Sequence, residues 1–545
     1  MSYADITLGN LYNMKVNWYL AGLRFCMAAH ALPVAPERLT ELTLHCQDGI
    51  QACEPYLQSE TPVTKDSLQE HWRKDRAEEN RIFELAVAAV AGRVQPDDAI
   101  AMMKNCYIRL LNDFEWNVIE KNVSLEGMSF VSRITPMNRH YAARLGGNAD
   151  PFGTYGTSGL GSMSPRLTDT PDDRRTLEEN HRITNFWMTE LLYGQEQMFA
   201  AFRSGSLSGK LINRSDEAIN RKNAQQLLEA VALEEDYRRN YLGERFVEAG
   251  DKMIMLVSIN LQTGNKLGKE SSMIQGQNKA LDVIAETLSG DDEIADDNEL
   301  RRLQEERRRG YTIGIASFNC EVNNVGGMTP WHNNNSEDSW NRVFNKAAAY
   351  HHALRKSTYH LAEFCKMAVN ELVNKLRQSK SDLLRPANDY KIASRLAALA
   401  YLSGCHVHFN CKSGKDRTGL MDIEVKRLIA AMYVSYLRSG RMGRQVVVPQ
   451  YTLNSGDQNR MYQALLKDSG NFEVQEYNTG GRGFKVAHLV KVSRADKALN
   501  RRFGADGGLA FAHGLKDYMD IDNLGRDPLF TRIGSWVRRH TPGRH

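Results

Sequence analysis

The sequence predicts an α/β protein in which a mainly helical N-terminal module precedes a larger region of helices and short strands. Three observations support this fold class. Apolar residues recur at helical spacing in "SLQEHWRKDRAEENRIFELAVAAVAGRV", residues 67–94. From about residue 175 onward, short apolar runs typical of buried strands appear, such as "KMIMLVSINL" at residues 252–261. After residue 404 a strand pattern, a polar loop and a long helical pattern follow one another directly.

Composition divides the chain into four parts. Residues 1–143 form the predicted helical module, and residues 144–174, rich in Gly, Ser, Thr and Pro, are predicted to be a linker or loop. Residues 175–490 hold the α/β region, and residues 491–545 form a basic C-terminal tail. Trp536 among the arginines of this tail suits peripheral contact with an anionic membrane, although a disordered basic end would have the same composition.

The composition also excludes several classes of protein. The 545 residues carry a formal net charge of +4, which is too small for a general nucleic-acid binder. Eight scattered cysteines without a C-x-x-C pair argue against a disulfide framework or a zinc site and indicate reduced thiols. Lys15 and Arg24 interrupt the first apolar stretch, so we expect no cleaved signal peptide. No run of about twenty uncharged apolar residues predicts a membrane-spanning helix.

The segment "HVHFNCKSGKDRTGLMDIEVKRLIAAM", residues 406–432, places a cysteine, cations and glycines between a strand pattern and a helical pattern. In this order the backbone N–H groups of the loop converge on one concavity at the positive end of the helix dipole. Such a concavity stabilises a thiolate and binds a phosphate dianion. Arg417 follows Cys411 by six positions and is placed to hold two phosphate oxygens. We therefore predict that Cys411 attacks phosphorus and forms a cysteinyl-phosphate.

Four further loop residues are predicted to bind substrate. The peptides of Ser413 and Gly414 belong to the phosphate cradle. Lys412 and Lys415 add positive charge that a phosphotyrosine would not require, whereas a ring bearing several phosphates would use it. The lysines therefore favour a polyphosphorylated substrate over a phosphotyrosine.

Two more residues of the loop region are predicted to be catalytic. Thr418 is placed to donate a hydrogen bond to the departing thiolate. Asp416 either protonates the leaving alcohol oxygen or acts as a structural carboxylate that pairs with Arg417 or caps the helix. We expect no metal or other cofactor, because the arginine, the lysines and the loop amides supply the positive charge.

The segment "NCKSGKDRTGLMDIEVKR" closely resembles the active-site segment of the SopB/IpgD effectors, phosphoinositide phosphatases that bacterial pathogens inject through type III secretion. It is also similar to the loop of eukaryotic inositol polyphosphate 4-phosphatases. The segments "YKIASRLAALA", "LVSINLQTGNKLGKESSMIQGQ" and "KDSGNFEVQEYNTGGRGFKV" extend the resemblance over roughly residues 180–490. The resemblance implies a catalytic region like the protein tyrosine phosphatase core, which removes phosphate from inositol lipids or soluble inositol phosphates.

One segment departs from the family pattern. The family carries a segment like F-N-V-G-V-N-E before the catalytic loop, and here it is "FNCEVNN". Asn319 and Asn323 keep the matching positions and are predicted to bind substrate, whereas Cys320, Glu321 and Asn324 differ. If the segment lines the pocket, the carboxylate at position 321 reduces or redirects activity, and if it is only structural, the change matters little.

Other polar segments of the region supply candidate cations. Lys269 in "GKE" is predicted to bind substrate, and Arg203 in "FRSG" is a further candidate, as are Arg482 and Lys485 after "NTGG". Each of them equally suits surface or turn chemistry. Two histidines on the strand that enters the loop are predicted to be structural rather than proton donors, namely His406 and His408.

The resemblance implies secretion by a bacterium without a cleaved signal peptide, followed by action in the host cytosol and at the membrane surface. It also implies a secretion chaperone and a Rho-family GTPase as partners of the N-terminal module. Two alternatives stay open. The same site suits a phosphotransferase that passes the phosphoryl group to another inositol hydroxyl, and the chain also suits a GTPase-binding effector with secondary phosphatase activity.

Overall fold

The structure of the chain is a computed structural model, which describes most of the residues up to position 479. The described residues are 6–113, 116–145, 183–208, 217–241, 252–262, 270–289, 301–320, 337–355, 357–378, 390–439, 444–449 and 456–479.

The first part of the chain is a packed group of helices, as the sequence predicts. Thr7 begins the first helix with a capping box, in which its hydroxyl accepts from Asn10 N and its N–H donates to Asn10 Oδ1. Trp18 stacks on Tyr107 with ring centroids 4.1 Å apart and joins the first helix to the fourth. The helices are α1 (Leu8–Ala29), α2 (Pro36–Cys53), α3 (Lys65–Ala89) and α4 (Pro96–Asp113).

Seven strands form one mixed sheet in the described part of the chain, in the order β1-β2-β3-β4-β7-β5-β6. β1, β2, β3 and β4 pair antiparallel with one another in that order, whereas β4, β7, β5 and β6 run parallel to one another. The strands are β1 (Ile119–Leu125), β2 (Met128–Pro136), β3 (Trp187–Tyr193), β4 (Glu196–Ser204), β5 (Met253–Asn260), β6 (Thr312–Asn319) and β7 (His406–Asn410).

The sheet begins inside the part of the chain for which the sequence predicts a helical module. β1 and β2 lie within residues 1–143, and Pro136 of β2 pairs with Trp187 of β3. Trp116 stacks on Trp187, with ring centroids 4.9 Å apart. Residues 119–136 are thus an integral part of the sheet, which differs from the helical prediction. Residues 146–174 of the predicted linker and the predicted tail 491–545 lie outside the described residues.

Helices surround the parallel strands, and the mixed α/β class is confirmed. Every residue of β7 is buried, as is every residue of the helix before it, which is typical of a parallel strand covered on both faces. No helix in the described ranges is long and apolar enough to cross a bilayer. The later helices are α5 (Met137–Leu145), α6 (Glu217–Tyr241), α7 (Glu270–Ser289), α8 (Arg301–Arg308), α9 (Glu337–Leu354), α10 (Ala362–Gln378), α11 (Lys391–Leu402), α12 (Asp416–Arg438), α13 (Gly456–Asp468) and α14 (Asn471–Thr479).

The two histidines of β7 have structural contacts, as the sequence predicts. His408 lies between two hydroxyls of the neighbouring strands, with Nε2 2.9 Å from Ser204 Oγ and Nδ1 3.0 Å from Ser258 Oγ. Burial lowers the pKa of His408 to about 3, so the ring is neutral and joins β4 to β5 through β7. His406 Nε2 lies 2.8 Å from Glu235 Oε2 of α6.

Candidate active site

Polar residues end the parallel strands at one edge of the sheet. Ser204 of β4 pairs in register with Asn410 of β7, Asn410 pairs with Asn260 of β5, and Asn260 pairs with Asn319 of β6. Ligands of open α/β sheets bind outside the carboxyl ends of parallel strands. Asn319, predicted to bind substrate, lies at this edge two strands from β7, and its side-chain amide lies 3.2 Å from the carbonyl oxygens of Asn260 and Gln262, to which it would donate with its nitrogen turned towards them.

The loop predicted to hold the nucleophile leaves the same edge. Cys411 follows β7 directly, and α12 begins at Asp416, so the predicted order of strand, loop and helix is confirmed. Gly414 has a φ of +68°, and a Cβ atom there would lie 2.4 Å from Gly205 N and 2.5 Å from Ser204 C. Because both the backbone angle and the lack of space exclude a side chain, only glycine fits this position.

Buried donors hold the carbonyl oxygens of the loop against strand β4 and the segment before β3. Ser206 N donates to Lys412 O at 3.2 Å, and Asn185 Nδ2 donates to Ser413 O at 3.2 Å and to Gly414 O at 2.7 Å. A trans peptide carries its N–H opposite its C=O. The N–H groups that follow these carbonyls therefore point away from β4, which is the arrangement that a phosphate cradle requires.

Arg203 supports this loop from below. Its side chain is fully buried, and Nη2 lies 3.4 Å from both Gly414 O and Thr418 Oγ1, while Nη1 donates to Asn471 Oδ1. Burial lowers the pKa of Arg203, and the nearby carboxylate of Asp422 opposes this shift. The guanidinium has no access to solvent and therefore lies behind the loop. It does not face the outer phosphates of a substrate, as one interpretation of the sequence had suggested.

A carboxylate orients Arg417. Glu270 begins α7 and accepts from Arg417 Nη2 at 2.7 Å and from Nη1 at 3.0 Å, and Leu261 O accepts from Nη1 at 3.1 Å. Burial opposes the charged form, but the hydrogen bonds to Glu270 and the proximity of Cys411 raise the pKa of Arg417 above its usual range. The Nη1–Nη2 edge of the guanidinium is thus occupied, which leaves the Nε–Nη2 edge to bind two phosphate oxygens.

The other predicted loop residues differ in exposure. Cys411 and Lys415 are buried, Lys412 is exposed, and Asp416 lies half-buried in the first turn of α12. Thr418 is buried, and its hydroxyl donates to Lys415 O at 3.1 Å. The threonine therefore stabilises the loop in this structure, and its donation to the departing thiolate stays a prediction.

Several predicted residues lie outside the part of the chain that the structure describes. These are Lys269, Asn323, Glu321, Asn324, Arg482, Lys485 and Trp536. Cys320, the residue directly after β6, is buried, and burial raises the pKa of its thiol to about 12. Burial disfavours the thiolate, and Cys320 is part of the core beside the edge of the sheet.

Sequence reasoning missed most of the supporting residues. Glu270 is the last letter of "GKE", a segment singled out for its lysine, and an acidic residue before the run "SSMIQGQ" is a helix-start signal that was not used. Asn471 lies in "KDSGNFEVQEYNTGGRGFKV", which resembled the family without an assigned role. Asn185 begins "NFWMTELL", a weak echo of the family pattern, but a single asparagine at the start of a strand pattern is common and had no assigned role.

The chain is similar to known proteins over most of its length. The family described as "Enterobacterial virulence protein IpgD" matches residues 97–516, a longer part of the chain than the predicted 180–490. The inositol phosphate phosphatase IpgD of Shigella flexneri is 26% identical over 450 residues, which cover 78% of this chain and 76% of that protein. The inositol phosphate phosphatase SopB of Salmonella bongori is 25% identical over 427 residues, which cover 74% of this chain and 94% of that protein.

Solved structures share the fold. A Legionella phosphoinositide phosphatase aligns over 95% of this chain and 76% of that protein, with a TM-score of 0.52 and 10% identity. The Legionella phosphoinositide phosphatase SidF aligns over 92% of this chain and 91% of that protein, with a TM-score of 0.51 and 10% identity. At this level of identity the likeness concerns the fold alone. Because the family match spans most of the sequence, the chain belongs to the IpgD family of enterobacterial virulence proteins.

Proposed function

We propose that the chain is a phosphatase that hydrolyses inositol phosphates and phosphoinositides through a cysteinyl-phosphate on Cys411. One observation carries the proposal. The Cys411 loop is held with its carbonyl oxygens against β4, and Arg417 is fixed by Glu270 beside it. Amides and a fixed guanidinium around a thiol form a cradle for the equatorial oxygens of a phosphoryl group.

In the first step the Cys411 thiolate attacks phosphorus opposite the ester oxygen. The Sγ–P bond forms as the P–O bond to the inositol ring breaks, and the leaving oxygen takes a proton from a protonated carboxyl group. Asp416, half-buried in the first turn of α12, is the proposed donor. Arg417 and the loop amides stabilise the charge that develops on the equatorial oxygens.

In the second step water cleaves the cysteinyl-phosphate. The water oxygen attacks phosphorus, one of its protons returns to the Asp416 carboxylate, and the Sγ–P bond breaks. Inorganic phosphate leaves, and the thiolate is regenerated. Thr418 assists by donating to the departing sulfur once its hydroxyl turns from Lys415 O, and a hydroxyl rotates readily between such acceptors.

The substrate class rests on the exposed lysine of the loop and on the relatives. Lys412 is exposed at the mouth of the loop, where it adds positive charge for a second phosphate group. The relatives from Shigella and Salmonella are named inositol phosphate phosphatases, and the Legionella structures are those of phosphoinositide phosphatases. Asn319 at the same edge is the proposed contact for a ring hydroxyl or phosphate beyond the scissile group.

The remaining features of the proposal follow from the family. We propose that the catalytic region is like the protein tyrosine phosphatase core, and its order of strand, cysteine loop and helix supports this. We propose that the protein is a secreted effector and that it acts in the host cytosol at the membrane surface. A secretion chaperone and a Rho-family GTPase are the proposed partners of the N-terminal helices, and the basic tail is the proposed membrane contact.

Phosphate release from soluble inositol polyphosphates and phosphoinositide vesicles tests the proposal. Cys411→Ser should abolish release, because the hydroxyl is a far weaker nucleophile than the thiolate. Cys53→Ser, a matched change at a buried thiol among the N-terminal helices, should retain it. Wild-type protein that releases no phosphate from any of these substrates would overturn the proposal. Conversion of substrate into isomers without release of phosphate would identify a phosphotransferase instead.

A further inference from the structure

Two buried chains of hydrogen bonds connect helix α14 to the Cys411 loop. The first begins at Asn478, whose Nδ2 donates to Asn185 Oδ1 at 2.9 Å. Trp187 Nε1 donates to the same oxygen. Because Asn185 Oδ1 is held by these two donors, its amide nitrogen must face the loop, where it donates to Gly414 O at 2.7 Å and to Ser413 O at 3.2 Å.

The second chain begins at Asn471. Its Oδ1 accepts from Arg203 Nη1, and its Nδ2 donates to Asp422 Oδ2 at 2.7 Å, which fixes the orientation of the amide. Arg203 then donates through Nη2 to Gly414 O and Thr418 Oγ1. The second chain therefore reaches the same carbonyl oxygen as the first.

The position of both asparagines on α14 is unusual for a helix that packs on a core. Residues seven positions apart lie on one face, and between Asn471 and Asn478 this face presents Val474, which is packed in the cluster of Trp116 and Trp187. The side chains of Asn471, Val474 and Asn478 are all buried. Burying an amide is unfavourable unless its hydrogen bonds are satisfied, and apolar side chains would suffice for packing alone. The asparagines thus meet a requirement other than burial.

We propose that Asn471 and Asn478 are positioning residues for the Cys411 loop, acting through Arg203 and Asn185 on the carbonyl of Gly414. A hydrogen bond to that carbonyl oxygen fixes the orientation of the peptide between positions 414 and 415. It therefore also fixes the N–H of Lys415, which faces the phosphate cradle. Only two residues, Ser469 and Gly470, separate α13 from α14, so the helix pair forms one connected support beneath the loop. This inference rests on the proposed function for its link to catalysis, but the geometry of the anion cradle is testable by itself.

The test compares Asn471→Ala, Asn478→Ala and the double variant with the wild type. With a soluble inositol polyphosphate, kcat should fall about tenfold or more in each single variant, since small displacements of a catalytic group have large effects on rate. KM should change less than about threefold, because the cations that meet the outer phosphates are untouched. A second readout, independent of turnover, is the alkylation of Cys411 by iodoacetate, located by peptide mass spectrometry, with and without inorganic phosphate. Phosphate should protect the wild type and protect the variants less.

Two controls separate positioning from loss of stability. Asn13→Ala removes a side chain that likewise donates to two backbone carbonyls, at Gly9 and Leu57, but lies among the N-terminal helices. Leu42→Ala lowers the melting temperature through a cavity in the same helices. Both should keep kcat and phosphate protection. Where an alanine variant does not fold, Asn478→Leu and Asn471→Leu replace it, since leucine fills the space without the hydrogen bonds.

The outcomes are distinct. Unchanged kcat and unchanged phosphate protection in both single variants and the double variant would overturn the proposal, as would losses that Leu42→Ala reproduces at an equal fall in melting temperature. If the wild type releases no phosphate at all, the proposed function fails, whereas phosphate protection of Cys411 and its loss in the α14 variants still support the positioning role. If phosphate does not protect the wild-type thiol, the loop is not an anion cradle and the positioning proposal falls as well.

Discussion

Glu270 and Arg417 are joined by two hydrogen bonds, 2.7 Å from Nη2 to Oε1 and 3.0 Å from Nη1 to Oε2. The pair is only slightly exposed, so the carboxylate decides which edge of the guanidinium faces the loop. Glu270→Gln removes the charge and one acceptor while keeping the shape. We expect kcat/KM for phosphate release to fall about tenfold to a hundredfold, because a freed guanidinium no longer presents the Nε–Nη2 edge to phosphate.

The control for this change is Glu217→Gln. Glu217 lies 2.6 Å from Lys279, but both side chains are largely exposed, and such pairs contribute little. Steady-state kinetics of the two variants should therefore differ clearly. Equal activity of Glu270→Gln and wild type would show that Arg417 needs no carboxylate to find its orientation.

Gly414→Ala should be the most damaging single-atom addition in the loop. The new Cβ would lie 2.4 Å from Gly205 N and 2.5 Å from Ser204 C, and neither backbone atom can move without displacing β4. The φ of +68° adds a cost of about 1 kcal/mol for any L-residue. We expect phosphate release to fall about a hundredfold or more, since the whole cradle shifts.

Gly127→Ala separates these two causes. Gly127 also has a positive φ, +82°, but a Cβ there meets nothing within 4 Å. This variant should lose a little stability and keep its activity, which activity assays and thermal melts of both variants will measure. Comparable activity of the two alanine variants would mean that the close approach of Gly414 to β4 is unimportant.

The sequence predicted the order of strand, loop and helix around Cys411 because this order depends only on residues that are consecutive in the chain. A strand pattern, a glycine-containing loop and a helical pattern follow one another over residues 405–439, and the structure has β7, the loop and α12 there. The sequence did not predict β1 and β2. In the structure the two strands form a hairpin, in which burial alternates along β1 and Glu126 and Gly127 have positive φ. The surrounding helical signals outweighed these short strands.

The support of the loop was not predictable in the same way. Asn185 is 228 positions from Ser413, to which it donates, and nothing in a single sequence links the two. Arg203 was noticed as a cation, but whether it faces solvent or the underside of a loop depends on how β4 pairs with β7. Contacts of this kind follow from the register of the sheet, which hydrophobic patterns alone do not fix across distant strands.

Lys412 should govern preference among substrates rather than the chemical step. It is the exposed cation of the loop, whereas Lys415 is buried. Lys412→Ala should raise KM for a polyphosphorylated inositol about fivefold, as expected for loss of an exposed ionic contact of about 1 kcal/mol. Lys412→Arg is the control that keeps the charge. Steady-state kinetics with an inositol monophosphate and an inositol polyphosphate test this prediction. An equal rise in KM for both substrates would place Lys412 at the scissile phosphate instead.

His408 makes the stability of the protein depend on pH. Burial lowers its pKa to about 3 from an ordinary 6.5, so between these values the unfolded chain binds a proton that the folded chain does not. Stability is therefore lost as pH falls from about 6.5 towards 3, by up to about 4 kcal/mol at the lower limit. His408→Gln should lower the free energy of unfolding near neutral pH, because the ring joins two strands, and should flatten its decline in acid. Urea denaturation between about pH 7 and pH 4 measures both effects.

His360→Gln, at a side chain that is 62% exposed, serves as the control and should leave the decline of stability in acid unchanged. A decline in His408→Gln as steep as in the wild type would assign the acid sensitivity to other groups.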